Sequence, residues 1–174
     1  MRVLQYLWFH FITIATSWMP DLRPVLCLRG FLLRPSFKIC GGNLQVARHV
    51  TVNFTNRVEI GRDVFLAAGC WLNAAGGIFL GDEVQLGPYS VLVTGDHTQI
   101  DGSYRFGPSC IAPIHICDGS WVAAHATITK GVVVGRGALV AANSVVTHEV
   151  PPFTIAGGVP ARVIQKKSQI EVVR

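Results

Sequence analysis

Residues 116–151, ICDGSWVAAHATITKGVVVGRGALVAANSVVTHEVP, repeat every six residues. Each repeat position holds a β-branched aliphatic residue, and the residue four places later is of modest size. The repeat positions are Ile116, Val122, Ile128, Val134, Val140 and Val146. A strand alternates with a period of two and a helix with a period of 3.6, whereas a period of six fits the three faces of a triangular coil. The stretch therefore predicts a parallel β-helix, with two 18-residue coils here.

The same spacing extends upstream. Two more coils are predicted by the aliphatic residues Ile60, Leu66, Leu72, Leu80, Leu86 and Leu92, with a two-residue slip at Gly76 and Gly77. Before residue 60, Leu44 and Val50 keep the spacing, as do Phe54 and Ile60, but Val52 breaks the phase between these pairs. About five coils are expected, each burying its inward ladder against the next.

The composition, rich in glycine and in apolar residues, fits a single domain of tight turns and inward-pointing aliphatic side chains. Of 174 residues, 18 are glycine, 50% are hydrophobic and 14% are charged. The net charge of +5 comes from basic residues near both ends, without the stripe of basic and aromatic residues that stacks nucleotide bases. Nucleic acid is therefore not an expected partner. Five cysteines without CxxC spacing predict neither disulfides nor a metal site and favour the cytoplasm.

The amino-terminal segment, residues 1–38, differs in character from the repeats. Residues 3–19 carry no Asp, Glu, Lys or Arg, and an apolar face at helical spacing is formed by Leu4, Leu7, Trp8, Phe11, Ala15 and Trp18. This amphipathic helix is too short and too polar for a confident membrane span. A second apolar stretch, 25–33, is punctuated by Arg29 and followed by Arg34. Two interpretations stay open: residues 1–35 contact a membrane surface, or the helices cover the β-helix or a neighbouring subunit.

A long excursion interrupts the repeat between Leu92 and Ile116, which are 24 residues apart where six would suffice. It spans about residues 95–113 and opens with the polar sequence Thr94-Gly95-Asp96-His97-Thr98. Loops that leave a rigid scaffold are where functional residues concentrate. His97 lies at the root of this loop, and a histidine can take a proton from a hydroxyl. The position therefore makes His97 a candidate catalytic base.

From about residue 58 to 165 the chain resembles the hexapeptide-repeat acyltransferases of left-handed β-helix fold, in particular the maltose and galactoside O-acetyltransferases and their polysaccharide-acetylating relatives. The motifs that carry this resemblance are Gly81-Asp82 ahead of His97, DGSWV at 118–122, ANSVVT at 142–147 and GGVPARVI at 157–164. The resemblance implies a left-handed β-helix domain over 39–165, followed by a basic tail over 166–174. It also implies a homotrimer that binds acetyl-CoA in the groove between subunits.

In that family the histidine matching His97 is the general base. The implied reaction is direct transfer: His97 deprotonates an acceptor hydroxyl, which attacks the thioester carbonyl, and no covalent enzyme intermediate is needed. Asp96 precedes the base and is a second catalytic candidate, although adjacent residues usually point apart.

Cofactor contacts follow from the same resemblance. Small residues at Ala124 and Ala142, together with Thr147, line the implied groove for the pantetheine arm. Arg162 matches a carboxy-terminal arginine of the family, and with Lys166 and Lys167 it offers cations to the 3′-phosphate of coenzyme A. The family often has Lys where this chain has His148.

The acceptor is expected to be a sugar hydroxyl of an exopolysaccharide, capsule or lipopolysaccharide intermediate at the inner face of the cytoplasmic membrane. By spacing from His97, the acceptor-contacting residues of the galactoside and maltose enzymes fall near Ala67 and Ala75, which does not favour those small sugars. The candidate acceptor contacts are Asn73, Tyr104 and Trp121.

Other interpretations stay open at this stage. The acceptor is alternatively an amino-sugar nucleotide or an antibiotic. A γ-type carbonic anhydrase would use three histidines around zinc, and His97, His115 and His125 invite that comparison, but their spacing departs from its pattern. A non-catalytic β-helix scaffold is the remaining alternative.

Overall fold

A computed structural model describes residues 2–166 of the chain, apart from the side chains of Arg2 and Lys166. Two α-helices come first, α1 (Arg2–Ala15) and α2 (Arg23–Leu33), and short 3-10 helices span Arg34–Ser36 and Thr55–Arg57. The strands are β1 (Ile39–Cys40), β2 (Gln45–Val46), β3 (Thr51–Asn53), β4 (Val58–Ile60), β5 (Phe65–Leu66), β6 (Trp71–Asn73), β7 (Ile78–Leu80), β8 (Gln85–Leu86), β9 (Val91–Val93), β10 (Gly95–His97), β11 (Ser109–Ile111), β12 (Ile114–Ile116), β13 (Trp121–Val122), β14 (Thr127–Ile128), β15 (Val133–Val134), β16 (Leu139–Val140), β17 (Val145–Val146), β18 (Thr154–Gly158) and β19 (Ala161–Lys166).

Sixteen of these strands stack into the three faces of a parallel β-helix, which confirms the predicted fold, and β19 pairs antiparallel with β18. The first face is β1-β4-β7-β12-β15, the second is β2-β5-β8-β13-β16-β18 with β19 at its edge, and the third is β3-β6-β9-β14-β17. Each strand pairs in parallel with the equivalent strand of the next coil, as Val122 does with Val140. There are five complete coils, and β18 begins a sixth.

The core is the aliphatic ladder that the six-residue period predicts. The repeat positions from Ile60 onward point inward and are buried, and so are the residues two places before each of them. Upstream of Ile60 the proposed phase is wrong at Phe54, which is exposed, whereas Val46 and Val52 continue the ladder. Val52 therefore keeps the six-residue spacing of the ladder. The two extra residues come after it, at the next corner, and a second pair of extra residues follows at Gly76 and Gly77.

All the insertions leave the β-helix at one corner, here called the third corner, which joins the third face of one coil to the first face of the next. The 3-10 helix at 55–57 occupies it in the first coil, residues 74–77 in the second, and the excursion in the third. The excursion folds into an antiparallel hairpin of β10 and β11, with residues 98–108 as its tip. The β-helix therefore presents the hairpin, the two expanded corners and the start of α1 on the same side.

The predicted amino-terminal helix is present, but the apolar face identified from its spacing is not the face that packs on the rest of the protein. All six residues assigned to that face are exposed, while Phe9, Ile12 and Thr16 are buried. Arg29 is buried as well, with only 2% of its surface exposed, and its Nη1 donates to the Val46 carbonyl of the first coil. It is therefore not part of a basic surface. Neither helix is long and apolar enough to cross a membrane, judged over the described residues.

Candidate active site

The root of the β10-β11 hairpin is tied to the second coil by backbone and hydroxyl groups. Thr94, expected to be a polar loop residue, is fully buried; its Oγ1 donates to the Asn73 carbonyl at 2.7 Å and accepts from the Gly76 N–H at 2.7 Å. On the other strand the Ala112 N–H donates to the Thr94 carbonyl at 3.0 Å. A Cβ on Gly76 would lie 2.8 Å from the Ala112 carbonyl oxygen, so glycine permits this close approach. The hairpin therefore leaves the coil in a defined direction.

His97 is the last residue of β10 and pairs with Ser109 across the hairpin. Its side chain is exposed, and no hydrogen bond or ion pair joins the imidazole to another group among residues 2–166. Because side chains alternate along a strand and paired residues share a face, His97 lies on the hairpin face that also carries Ser109 and Ile111. The imidazole of His97 is thus exposed on one face of the hairpin, close to its root.

Asp96 lies on the opposite hairpin face and does not reach the imidazole. It pairs with Cys110 across the hairpin, and its carboxylate lies 3.3 Å from the Lys130 ammonium of the fourth coil. The hydrogen bond with Asp96 is the main cause that raises the pKa of Lys130, followed by the neighbouring Cys110. In the single chain Asp96 therefore links the hairpin to the β-helix and does not orient the imidazole, and its catalytic role stays a prediction.

Asn73 lies beside the hairpin root, whereas the other two acceptor candidates are placed apart. The Asn73 Oδ1 atom is buried, and nothing among the described residues donates to it. Tyr104 is exposed in the hairpin tip. Trp121 lies on the second face between Gln85 and Leu139 of adjacent coils. Of the three, Asn73 is bonded to the residue before the strand that carries His97, since its carbonyl accepts a hydrogen bond from the Thr94 hydroxyl.

The small residues predicted to line the cofactor groove are stacked in adjacent coils. Ala124 and Ala142 occupy the corner between the second and third faces, where the Asn143 N–H donates to the Ala124 carbonyl at 3.0 Å. Thr147 follows β17 at the third corner, and its Oγ1 lies 2.9 Å from Nδ1 of His148. Since coils stack at about 4.8 Å, Thr147 lies roughly 10 Å along the axis from the coil that carries His97.

The cations assigned to the phosphates of coenzyme A lie at the carboxy-terminal end. Arg162 is exposed on β19, and its guanidinium donates to the Ala161 carbonyl at 2.9 Å. The Lys166 side chain and all of Lys167 lie outside the described residues. The described cofactor candidates thus lie on three parts of the β-helix: Ala124 and Ala142 at the corner between the second and third faces, Thr147 at the third corner, and Arg162 on β19 at the end of the second face.

Comparisons with known proteins agree with the fold. The family described as the hexapeptide repeat of succinyl-transferase matches residues 124–148. The galactoside O-acetyltransferase of Escherichia coli (strain K12) is 28% identical over 138 residues, which cover 79% of this chain and 68% of that protein.

Solved structures of acetyltransferases share the whole architecture. A maltose O-acetyltransferase from Clostridium difficile 630 superimposes with a TM-score of 0.83 at 26% identity, covering 97% of this chain and 89% of that one. A hexapeptide-repeat acetyltransferase from Vibrio cholerae O1 biovar eltor, complexed with acetyl coenzyme A, gives 0.80 at 26% identity, covering 95% and 88%. The chain is an acetyltransferase that is similar in sequence and fold to the hexapeptide-repeat acetyltransferases.

The motifs that carry this similarity include one with a structural role. At the corner between the first and second faces, the Asp82 carboxylate accepts hydrogen bonds from the backbone N–H and side chain of Arg62, which lower the pKa of Asp82. The Asp118 carboxylate accepts in the same way from the Asp82 N–H at 3.0 Å. A Cβ on Gly81 would overlap the Asp118 side chain. The Gly-Asp pair thus links successive coils.

The cysteines and histidines of this acetyltransferase do not form a second reactive centre in its described part. Burial raises the pKa of the Cys70 and Cys117 thiols, so neither is an activated thiolate. The His115 ring stacks on Phe79 on the first face, with 4.5 Å between the ring centroids. The His125 ring stacks on Tyr89 at the corner between the second and third faces. No group of three potential ligands within residues 2–166 is placed to hold a metal ion.

One part of the site was missed by the sequence analysis. A polar groove of about 440 Å³ lies beside the third corner of the first two coils, and its wall includes Arg57, residues 75–77 and Ile111 of the hairpin. Arg57 was overlooked because the phase was misassigned at residues 52–60. With the slip placed after Val52, Arg57 falls in the expanded corner, on the side from which the hairpin emerges.

Proposed function

We propose that this acetyltransferase moves the acetyl group of acetyl-CoA to a sugar hydroxyl, with His97 as the general base. The observation that carries the proposal is the placement of His97: its imidazole is exposed, has no hydrogen-bond or ion-pair partner among residues 2–166, and lies near the root of the hairpin whose Ile111 lines an open groove. Solved relatives complexed with acetyl coenzyme A or coenzyme A support the donor. Relatives named for maltose and galactoside support a sugar as acceptor.

The proposed reaction needs one proton transfer and one acyl transfer. The His97 imidazole takes the proton of the acceptor hydroxyl as its oxygen attacks the thioester carbonyl carbon. The tetrahedral oxyanion then collapses, the carbon–sulfur bond breaks, and the coenzyme A sulfur leaves and takes the proton from the imidazolium. Atoms and charge balance without a metal or a covalent enzyme intermediate.

The active site is proposed to lie between subunits of a homotrimer. In the single chain the His97 ring and the corner at Ala124 and Ala142 face solvent, and Trp121 lies on another face from His97. In a closed ring of three subunits, each interface joins two different surfaces of the chain. A site at such an interface can therefore combine residues that lie far apart in one subunit. Trp121 and Tyr104 are then expected to act on the site of a neighbouring subunit.

The acceptor is proposed to be a polysaccharide intermediate at the cytoplasmic face of the membrane, with α1 in peripheral contact with the lipid. The support is the outward face of α1, where Leu4, Phe11 and Ile14 are exposed, together with the exposed Trp18 in the turn that follows the helix. Residues 2–20 carry no acidic side chain that an anionic surface would repel. A helix of this kind lies in the headgroup region and does not span the bilayer.

The test is release of free coenzyme A thiol from acetyl-CoA in the presence of a panel of glycans, amino-sugar nucleotides and lipid-linked sugars. His97→Ala is expected to lower acceptor-dependent release at least about a hundredfold, because general-base catalysis contributes about 10²–10⁴. His49→Asn is the matched control, since His49 is an exposed histidine in the first coil with a φ of 60°, which Asn tolerates.

Each result has a defined meaning. Release that survives in His97→Ala at the wild-type rate would remove His97 from the mechanism. Absence of release with every acceptor, combined with absence of coenzyme A binding, would favour a scaffolding β-helix over an enzyme.

A further inference from the structure

An apolar cleft of about 560 Å³ opens between the start of α1 and the expanded corner of the first coil. Val3 and Tyr6 line it from the helix, and Phe54 and Arg57 line it from the corner. The φ of Phe54 is 60°, a left-handed conformation that turns its ring outward, where 46% of the residue is exposed. Phe54 therefore contributes to the wall of this cleft and not to the core.

The cleft continues into the polar groove beside the hairpin. Asn56 and Arg57 line both cavities, and Ile111 lines the far wall of the groove. Ile111 shares its hairpin face with His97, two residue pairs further along the ladder. A path therefore runs from the exposed apolar face of α1, past Arg57, to the hairpin face of the catalytic base.

Arg57 is the cation at the junction of the two cavities. Its guanidinium lies over the Phe54 ring at 5.5 Å from the centroid, and its Nη1 donates to the Ala75 carbonyl, so the head group is held in place. No carboxylate within residues 2–166 lies at ion-pair distance from it. The other cation of the groove, Lys38, is paired with Glu59 at 2.7 Å. An oriented guanidinium without a counter-ion is suited to a phosphate, which accepts paired hydrogen bonds.

We propose that this path binds an acceptor in which the sugar is joined through a phosphate to a hydrocarbon chain. The chain lies in the cleft of Val3, Tyr6 and Phe54, the phosphate binds Arg57, and the sugar extends along the groove towards His97. This assignment deepens the proposed function and rests on it for the sugar end. The apolar walls of the cleft and the Arg57 guanidinium, where the cleft meets the groove, match the two parts of such a ligand.

The experiment measures binding without catalysis, so that its outcome is separate from that of acetyl transfer. Decyl phosphate, kept below its critical micelle concentration, is titrated into the full-length protein by calorimetry, beside decyl glucoside and inorganic phosphate. Decyl phosphate is expected to bind at least tenfold more tightly than either of the other two. Binding to His97→Ala should equal binding to the wild type, because the probe does not use the base.

Two substitutions at exposed positions test the two ends of the subsite. Arg57→Gln is expected to weaken decyl phosphate binding about tenfold to a hundredfold, the range for a hydrogen-bonded charge. Its control is Arg62→Gln, an exposed arginine of the next coil at another corner. Val3→Glu is expected to weaken binding at least tenfold, and Leu4→Glu, a neighbour with the same 70% exposure that does not line the cleft, is expected to leave it unchanged.

Three results would overturn the proposal. Equal affinity for decyl phosphate and decyl glucoside would remove the phosphate from Arg57. Equal weakening by the two glutamate substitutions would show a general apolar surface instead of a cleft. A change in oligomeric mass for Val3→Glu, measured by sedimentation, would show that a second copy of the chain fills the cleft. Failure of acetyl transfer with intact decyl phosphate binding would instead count against the proposed function alone.

Discussion

Arg29→Met removes the cation that holds the amino-terminal helices on the β-helix. The guanidinium donates to the Thr16 hydroxyl and carbonyl, to the Asp21 carboxylate at 3.1 Å and to the Val46 carbonyl at 2.7 Å. These acceptors come from the end of α1, the connection to α2 and the first coil. Methionine keeps the apolar volume of the side chain but donates none of these hydrogen bonds, so the acceptors lose their partner on folding.

The size of the effect follows from burial. Removal of one partner from a buried ion pair lowers the free energy of unfolding by about 3–5 kcal/mol. Asp21 is 25% exposed and keeps Arg48, whose Nε lies 3.2 Å from it, so the lower end of the range applies. A loss of about 3 kcal/mol raises the equilibrium for local opening roughly a hundredfold, since every 1.4 kcal/mol is a factor of ten. The helices should therefore open far more often, while the coils from residue 58 onward stay closed.

Native-state hydrogen exchange measures this opening segment by segment. Peptides from residues 2–33 are expected to exchange about a hundredfold faster in Arg29→Met. Arg48→Met is the control, because the Arg48 side chain is 42% exposed and its pair with Asp21 is worth about 1 kcal/mol or less. Exchange in Arg29→Met equal to that in Arg48→Met, or acceleration spread over the whole chain, would refute the role of Arg29 as a local anchor.

Three further predictions concern the surface of α1 and the corners. Phe11→Glu should weaken binding to anionic vesicles at least about tenfold in a flotation assay, because a buried Phe is worth about 1.5–3 kcal/mol, whereas Phe106→Glu in the hairpin tip should not; equal loss would contradict membrane contact by α1. Gly81→Ala should lower stability to urea by about 1–3 kcal/mol through overlap with the next coil, and Gly42→Ala, where a Cβ meets no atom within 4 Å, should not. The pKa of Asp82 is lowered by its hydrogen bonds, so its contribution is present above the unfolded pKa of about 3.9 and is lost as the pH falls through the lower folded value. The thermal midpoint of Asp82→Asn should therefore lie below that of the wild type at pH 7 and approach it in acid; a constant difference would show that the charge is not involved.

The candidate site was predicted in part because its elements interrupt a strict repeat. The excursion and its root at His97 could be located by counting residues, since a segment that does not fit a coil must leave it. Side-chain alternation already argued against a contact between Asp96 and His97, and the structure shows that the carboxylate is instead bound by Lys130 of the next coil. That partner lies 34 residues away in the chain, and only the pairing of coils brings it near.

The amino-terminal segment shows the limit of a periodicity argument. The spacing correctly predicts a helix, but two faces of α1 carry apolar residues, and spacing does not say which one packs. The structure buries Phe9 and Ile12 and leaves Phe11 and Trp18 in solvent. The sequence also did not reveal that Arg29 is buried, because its acceptors are backbone carbonyls, one hydroxyl and one carboxylate from three separate segments.

The sequence by itself determined the β-helix, because a six-residue period of β-branched residues fits neither a helix nor an ordinary strand. In a β-helix these residues form one continuous buried row. It also determined where the chain leaves the coils and, through its motifs, the similarity to the acetyltransferases. The tertiary structure decided what those departures build: it stacks the expanded corners of two coils and the hairpin of the third on one side, beside the start of α1. Local pattern cannot specify this, because a groove is made by residues from different coils whose proximity depends on the register of stacking and not on their distance along the chain.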